Sequence, residues 1–471
     1  MRIYLRRWVF NQLSSCITGP SASSGARDIP PHPRLSRPPI HKIYHCFSFQ
    51  MSSEVKVAYV CSSDLARISS LLPSNRNRSA LVHTLVNAYG LLKRPNCRLV
   101  KPGKASRRDL ERYHEAGYLD YVLQPHQGEV TSKGDVTEFG LEDDCEVFPG
   151  LDEYMYVVAG ATLTATKAIQ SAMFDVAICW DGGRHHAHKA HAAGFCYVAD
   201  CVLCILQLRR LDSGQKGRPK VAYLDLDLHH GDGVAEAFTS RSLDDAEIGK
   251  STMEESASPS NILTLSVHHH APGFYPHSAL GSLTKSITKD PFSLSIPLGR
   301  GTGAHTYARI WSIIERVLGA FFCWDQLERD ESPTYLVVQC GVDGLAGDPY
   351  AIWNWDIDVE RDGSLGWCVQ KAMEWVGARG KQLKIVFLGG GGYNSPNAAR
   401  AWTYLTSIIT GKPLSVNDDI PDHGSFLQYA PSFVLDVPAG NRPDENTEKE
   451  LSEIESSYDV LIERIRCAQS V

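Results

Sequence analysis

The sequence predicts an α/β fold in which one large domain carries a mainly parallel β-sheet flanked by helices on both faces. From Val55 onward, short apolar runs rich in β-branched residues alternate with longer stretches of helical period. Runs such as 335–338 are apolar at every position, which is typical of strands covered on both faces. With 471 residues, 43% of them hydrophobic, the chain can bury the large core that this fold needs.

The apolar runs predict seven strands, and the segments between them predict seven helices. The strands are expected at 56–60, 175–180, 221–228, 262–267, 292–298, 334–340 and 384–388. The helices are expected near 79–93, 107–123, 153–172, 196–210, 304–321, 364–377 and 396–410. Ligands of such sheets bind outside the carboxyl ends of the strands. We therefore expect the chemistry in the segments that follow strands, at 180–191, 225–232, 268–277, 341–350 and 389–392.

Both ends of the chain are predicted to lie outside a catalytic domain spanning 55–437. Residues 1–54 read as a disordered, basic and Pro-rich extension, and 1–27 contain four arginines and no acidic residue. That composition is compatible with a mitochondrial transit peptide, but Met51 leaves open a start just before the first strand. The segment 438–471 is highly charged and predicted to be helical, and 239–260 reads as an acidic, Ser-rich surface loop.

The amino-acid composition of the chain indicates which kinds of molecule it can bind. The chain has 47 Lys and Arg against 54 Asp and Glu, a formal charge of −7, so we expect no direct binding to nucleic acid and an easier fit for a polycationic partner. There is no apolar run of the ~18 residues that a membrane span needs. The 13 cysteines are typical of the reduced, mostly buried thiols of an intracellular protein.

The segment 223–233 is the most informative part of the sequence. If it continues as a strand, Asp225, Asp227 and His229 share one face, because alternate residues of a strand point the same way. Two carboxylates and an imidazole on one face would be costly to bury unless a cation lay between them. Their donors suit Zn²⁺ or another divalent ion such as Fe²⁺. The alternative is a hydrogen-bonded polar ladder at the end of a sheet.

Asp343 follows another predicted strand and is the candidate third ligand. Three protein ligands with one open position are what a catalytic zinc ion requires. Taken alone, Asp343 could equally be the cap of a helix or turn.

Two adjacent histidines follow the predicted strand 175–180 on a glycine-rich turn. His185 and His186 can both reach a pocket there, and a neutral imidazole can move a proton if a carboxylate orients it. Asp225 and Asp232 are the available carboxylates. The alternative for either histidine is a hydrogen-bonded core residue.

The glycine run 389–392 precedes Tyr393. It lacks both the G-x-G-x-x-G spacing and the lysine of a nucleotide loop, so phosphate binding is not expected. Residues without side chains instead allow Tyr393 to approach the site, where its hydroxyl could donate to a carbonyl oxygen as charge develops.

Over about 55–437, these segments together resemble class I zinc-dependent histone deacetylases, and chain length and spacing are most similar to the small stand-alone branch of that class. The matching motifs are Asp225-Leu-Asp-Leu-His-His-Gly-Asp-Gly233, His185-His186-Ala187, Gly194-Phe-Cys-Tyr197, Gly347-Asp-Pro349 and Gly389 to Asn394. The resemblance implies an arginase/deacetylase-like fold and hydrolysis of N6-acetyl-lysine in histones or other proteins, with release of acetate.

The resemblance also implies roles for individual residues. Zinc would be bound by Asp227, His229 and Asp343. The catalytic residues would be His185, His186, Tyr393, Asp225 and Asp232, with His186 the general acid/base, Asp225 supporting His185 and Asp232 supporting His186. The substrate would contact Asp144, Gly194, Phe195, Tyr275 and Tyr350. A potassium ion would be bound by Asp225, Asp227, His229, Ser266 and Val267.

Several residues depart from the family pattern, and they concern the pocket rather than the predicted ligands. Arg184 replaces a Leu or Trp, Tyr350 replaces an apolar residue, Gly344 replaces Ser or Thr, and 277–279 replaces Gly-Thr-Gly. We expect Arg184 and 277–279 to alter the rim and the choice of substrate. The implied setting is transcriptional repression in the nucleus with corepressor proteins, with the cytoplasm also open. The alternatives are a deacetylase of acetylpolyamines or other small amides, and a catalytically silent corepressor scaffold.

Overall fold

The computed structural model confirms the predicted α/β class. It describes residues 55–125, 133–171, 173–210, 217–239, 261–283, 290–324, 332–350, 352–379 and 383–469. In this part of the chain, eight parallel strands form one sheet in the order β2-β1-β3-β8-β7-β4-β5-β6. The strands are β1 (Val57–Val60), β2 (Cys97–Val100), β3 (Val176–Cys179), β4 (Lys220–Asp225), β5 (Ile262–His269), β6 (Ser293–Leu298), β7 (Thr334–Gln339) and β8 (Leu383–Leu388).

Twelve α-helices accompany the sheet in the described residues. They are α1 (Ser63–Ser69), α2 (Arg78–Ala88), α3 (Arg107–Leu110), α4 (Ala116–Val122), α5 (Lys133–Glu138), α6 (Leu151–Gln170), α7 (Asp200–Leu208), α8 (Asp232–Phe238), α9 (Ala304–Phe322), α10 (Leu365–Arg379), α11 (Ser395–Ile409) and α12 (Glu448–Gln469). The long helix α6 packs on β1, β3 and β8, while α10 packs on β8 and α11, and α11 packs on α2. The fully buried strands β1, β3, β5 and β7 explain the uninterrupted apolar runs.

Among the differences between the predicted and observed elements, one strand and one helix have a clear physical reason. Strand β2 was not predicted, because it lies at the sheet edge and carries exposed residues such as Arg98 and Leu99 that hide its strand pattern. The predicted helix 107–123 is two helices, α3 and α4. The backbone N–H of Glu115 donates to the carbonyl of Lys189 instead of continuing the helix, so the chain turns there.

The C-terminal segment contains α12, which packs on α9. Its buried residues recur at helical spacing, and the Tyr458 hydroxyl donates to the Ser295 carbonyl at 2.9 Å. The division into an extension, a catalytic domain and a C-terminal segment stays a prediction, because residues 1–54 and 240–260 lie outside the described residues. None of the helices in the described ranges combines the length and apolar character that crossing a membrane requires.

Candidate active site

Five segments meet beyond the carboxyl ends of five neighbouring strands. The order β3-β8-β7-β4-β5 places the segments after these strands side by side. They carry the histidine pair, the glycine run, Asp343, the Asp227–His229 segment and the aromatic pair at 274–275. The sheet therefore brings the predicted segments together at the edge where parallel sheets place their ligands.

The segment after β4 converges on the site through turns, and the predicted strand 221–228 is too long. Strand β4 ends at Asp225, whose side chain accepts the backbone N–H of Asp227 at 3.1 Å. Asp227 in turn accepts the N–H of His229 at 3.1 Å. Such hydrogen bonds to the residue two positions on are Asx turns, which curl the chain. Asp227 and His229 thus meet through consecutive turns and not through strand alternation.

Asp227, His229 and Asp343 form a candidate metal centre. One donor atom from each lies within 4.8 Å of the other two, and both aspartates are fully buried. The imidazole Nδ1 of His229 lies 2.9 Å from Oδ2 of Asp343 and 3.4 Å from Oδ1 of Asp227. Backbone N–H groups of Leu228 and Gly391 donate to Asp343 and Asp227, respectively, at 3.0 and 2.8 Å.

The negative charges of the two carboxylates repel each other, and their pKa values shift in opposite directions. Burial and the nearby charge of Asp227 raise the pKa of Asp343 to about 7. Burial opposes ionisation of Asp227 as well, but the charges of His185 and His229 hold its pKa well below its usual value. Two buried carboxylates beside one imidazole are a donor set that a divalent cation of the zinc type would neutralise. The chemistry of these three side chains therefore fits such an ion.

His185 and His186 lie side by side with different partners. Nδ1 of His185 is 2.9 Å from Asp225, and Nδ1 of His186 is 2.7 Å from Asp232. Burial lowers the pKa of His185, but Asp225 and Asp227 outweigh it and raise the pKa to about 9. For His186, burial and the charge of His185 prevail over Asp232 and lower the pKa to about 4. His186 is therefore neutral near pH 7, and its Nδ1–H points to Asp232, which leaves Nε2 free to accept a proton.

Tyr393 closes the opposite side of the site. A side chain at Gly391 would come within 2.3 Å of Asp343, and one at Gly390 within 2.9 Å of Asp227, so only glycine fits against the carboxylates. Burial raises the pKa of Tyr393 well above its usual value and keeps the phenol protonated. Its backbone N–H donates to Asp348 at 2.6 Å, and its ring faces that of Phe195.

Aromatic rings surround the approach to these residues. The ring of Tyr275 lies 5.0 Å from that of His186, and the ring of Phe195 lies 5.4 Å from that of Tyr393. Tyr350 is 53% exposed and packs edge-on against Tyr393 at 4.7 Å. The rings of Phe195, Tyr275 and Tyr350, here called the channel, form an apolar surface beside His186 and Tyr393 that suits a long aliphatic side chain.

The remaining predicted residues are Asp144 and Gly194 on one hand and Ser266 and Val267 of β5 on the other. Asp144 is exposed and accepts the backbone N–H of Gly194 at 3.0 Å, which places both at the mouth. Ser266 pairs with Asp225 in the sheet register and accepts the N–H of Gly231 at 3.5 Å, and Val267 is fully buried beside it. The structure brings the predicted potassium ligands into one neighbourhood, and the potassium ion itself stays a prediction.

Arg184 does not alter the rim, contrary to expectation. Its side chain is 5% exposed and lines a small enclosed cavity together with Arg78 and Asp181. Its guanidinium donates to the Asp181 carbonyl at 3.2 Å, and its backbone N–H donates to Asp200 at 2.7 Å. Arg184 replaces an apolar residue of the interior and not one of the channel mouth.

Three further residues at the site were not predicted. Phe274 stacks on the ring of His229 at 5.1 Å, and Gln339 donates to Asp227 at 2.9 Å. Asp348 accepts the N–H of Tyr393 at 2.6 Å. Phe274 could have been found from its place beside Tyr275, and Asp348 from the Gly347-Asp-Pro349 motif. Gln339 has no comparable sequence signal, because its role depends on which strands are neighbours.

Known proteins with similar sequences share one family name. A family model described as the histone deacetylase domain matches residues 72–409. The chain is 34% identical over 406 residues to histone deacetylase 8 of Xenopus tropicalis, which covers 86% of this chain and 97% of that protein. It is also 34% identical to histone deacetylase 8 of Danio rerio over 402 residues, covering 85% and 93%, and to that of Xenopus laevis over 369 residues, covering 78% and 99%.

The chain belongs to the histone deacetylase family. The family match and the similarity to histone deacetylase 8 confirm the predicted resemblance to class I and the predicted enzyme class, a hydrolase that removes acetyl groups from lysine. Acetyl-lysine is accordingly the substrate group.

Proposed function

We propose that the chain hydrolyses N6-acetyl-lysine in histones or other proteins at a zinc centre made by Asp227, His229 and Asp343. The observation that carries the proposal is the meeting of this centre with the His186–Asp232 pair and the Tyr393 hydroxyl at the end of one apolar channel. A zinc ion bound there supplies Lewis acidity, which polarises the amide carbonyl and makes water a better nucleophile. Fe²⁺ would suit the same donors.

The side chains supply the proton transfers. Nε2 of His186 takes the proton of the attacking water while Asp232 stabilises the resulting imidazolium through Nδ1–H. The same nitrogen returns the proton to Nζ of the substrate lysine as the C–N bond breaks, so lysine and acetate leave. The Tyr393 hydroxyl donates to the carbonyl oxygen as that oxygen gains charge. Asp225 holds His185 beside His186 through a hydrogen bond to Nδ1.

The proposal also assigns roles to the residues that would contact the substrate and to those that would bind a potassium ion. Asp144, with Gly194, would hold the substrate backbone, while Phe195, Tyr275 and Tyr350 would flank the lysine stem. A potassium ion would stabilise the turn after β4, bound by Asp225, Asp227, His229, Ser266 and Val267. Histone substrates favour a nuclear enzyme in transcriptional repression, with corepressors as partners.

The test is the turnover of an acetylated histone-tail peptide by the purified protein, with metal analysis. Tyr393→Phe should lower kcat by about 10²–10³, the usual loss for an oxyanion donor, with an unchanged metal content. Tyr429→Phe is the matched control, because Tyr429 carries a buried hydroxyl without a hydrogen-bond partner in the described residues. A chelator should abolish activity, and added Zn²⁺ should restore it.

Three outcomes would contradict the proposal. Equal activity of wild type and Tyr393→Phe would remove Tyr393 from the mechanism. Full activity in metal-free protein would exclude the zinc centre. Turnover of acetylpolyamines without turnover of acetylated peptides would assign the enzyme to small amides.

A further inference from the structure

A single buried carboxylate joins the segment after β7 to the segment that carries Tyr393. Asp348 is 8% exposed. Its Oδ2 accepts the backbone N–H groups of Tyr393 and Asn394 at 2.6 and 3.1 Å, and its Oδ1 accepts the N–H of Tyr350 at 3.1 Å. Hydrogen bonds to an ionised acceptor are short and strong, so this carboxylate fixes three amides of two separate segments.

The segment before Tyr393 has little conformational preference of its own. It consists of four glycines, and Gly390 and Gly392 have φ values of 158° and 130°. Glycine accepts many backbone conformations, so this stretch alone does not define where Tyr393 stands. Upstream, the N–H of Gly391 donates to Asp227 at 2.8 Å. Asp348 provides the corresponding anchor on the downstream side, at Tyr393 itself.

The same carboxylate also sets the contact between two phenol rings. Tyr350 packs edge-on against Tyr393 at 4.7 Å, and its backbone N–H is bound to the other oxygen of Asp348. The ring at the channel mouth and the ring at the reacting carbonyl are therefore held relative to each other through one side chain.

We propose that Asp348 is a positioning residue that places the Tyr393 hydroxyl against the substrate carbonyl. The proposal rests on the proposed role of Tyr393 as a donor to that carbonyl. Asp348 touches neither substrate nor reacting atoms and acts through the backbone of Tyr393. A displacement of about 1 Å at a catalytic group can cost about a hundredfold in rate, so loss of this anchor is expected to act on kcat.

The experiment is a double-mutant comparison in the full-length enzyme with an acetyl-lysine peptide. Asp348→Asn, made in wild type and in Tyr393→Phe, replaces one of the two acceptor oxygens by an NH2 group and removes the charge, so the side chain can no longer accept the N–H groups of both Tyr350 and Tyr393. In wild type we expect kcat to fall roughly tenfold to a hundredfold, with KM and bound metal unchanged. In Tyr393→Phe we expect no further loss of kcat, because the hydroxyl that Asp348 positions is already absent.

Asp356→Asn is the matched control. Asp356 is 2% exposed and accepts the backbone N–H of Asp358 at 3.1 Å, but it contacts no part of the Tyr393 segment within the described residues. This variant should lose stability and keep kcat. If Asp348→Asn does not fold, Asp348→Glu is used in the same comparison, because it keeps the charge and moves the carboxylate by one methylene.

The outcomes separate the two proposals. An equal loss of kcat from the Asp348 variant in both backgrounds would overturn the positioning role, as would a loss confined to KM or to bound metal. Unchanged kcat in Tyr393→Phe itself would instead overturn the proposed role of Tyr393.

Discussion

Replacing Gly194 by alanine tests the position of His186 directly. The backbone of Gly194 lies against the imidazole, and a Cβ at this position would come within 2.3 Å of His186 Cδ2 and 2.8 Å of the Tyr275 hydroxyl. Ordinary contacts of a Cβ begin at 3.4 Å, so the ring would have to move by roughly 1 Å. The φ of Gly194 is 54°, in the left-handed region, where a Cβ costs about 1–2 kcal/mol.

Two effects are therefore expected in Gly194→Ala. The free energy of unfolding should fall by more than the about 1–2 kcal/mol of backbone strain, because the clash with His186 adds to it, and kcat/KM should fall on the order of a hundredfold because His186 is displaced. Bound metal should be unchanged, since none of the three proposed ligands meets the new methyl group. Denaturant unfolding, peptide deacetylation and metal analysis measure the three quantities.

Gly90→Ala is the control that has the backbone strain of a positive φ without any displacement of His186. Gly90 has a φ of 69° and no heavy atom within 4 Å of its ideal Cβ, so its variant carries the backbone strain alone. It should lose only the about 1–2 kcal/mol of backbone strain and keep full activity. A folded Gly194→Ala enzyme with wild-type kcat/KM would refute the placement of His186 beside Gly194.

Two further predictions concern Asp232, the hydrogen-bond partner of His186, and His188, which lies near the same carboxylate. Asp232→Asn removes the charge from the 2.7 Å hydrogen bond to His186. A hydrogen bond to a charged group contributes about 1.5–3 kcal/mol, so kcat/KM in steady-state assays should fall about 10- to 150-fold. An unchanged kcat/KM would exclude Asp232 from catalysis. His188 lies 2.9 Å from Glu236 and 3.6 Å from Asp232 and stacks on His191, and these carboxylates outweigh burial and raise its pKa to about 9. A histidine with a raised pKa stabilises the fold below about pH 6.5, and this stabilisation is lost as the pH rises through 9. The free energy of unfolding of His188→Gln, measured with denaturant, should therefore differ from that of wild type most at low pH and equal it above pH 9. A difference that does not change with pH would contradict the raised pKa of His188.

The sequence was sufficient for the fold class and for the segments that carry chemistry. Buried parallel strands leave an uninterrupted apolar pattern, and the polar residues that follow them are conspicuous. Strand order leaves no comparable pattern. Asp343 lies beside His229 because β7 is next to β4 in the sheet. The sequence does not show which strands are neighbours, so Asp343 could equally be interpreted from it as the cap of a helix or turn.

The details that escaped prediction depend on contacts between distant segments. The Asp225–Asp227–His229 segment was predicted to converge by strand alternation, and it converges through Asx turns that period alone does not reveal. Cys201 and Cys204 form a C-x-x-C spacing on α7 that the sequence reasoning overlooked. Both are buried, and burial raises their pKa above the usual value, so they remain protonated thiols without the reactivity of a redox pair.

The position of β8 has a consequence for how the enzyme is made. This strand is the last to be synthesised, yet it lies between β3 and β7 and joins β2-β1-β3 to β7-β4-β5-β6. Until residue 388 has left the ribosome, the two halves of the sheet each expose an unpaired central edge, which is the kind of surface that aggregates. Gly391, which donates to Asp227, is also still missing at that stage. A chain that ends before β8 therefore has two separate halves of the sheet and lacks the Gly391 hydrogen bond that holds Asp227.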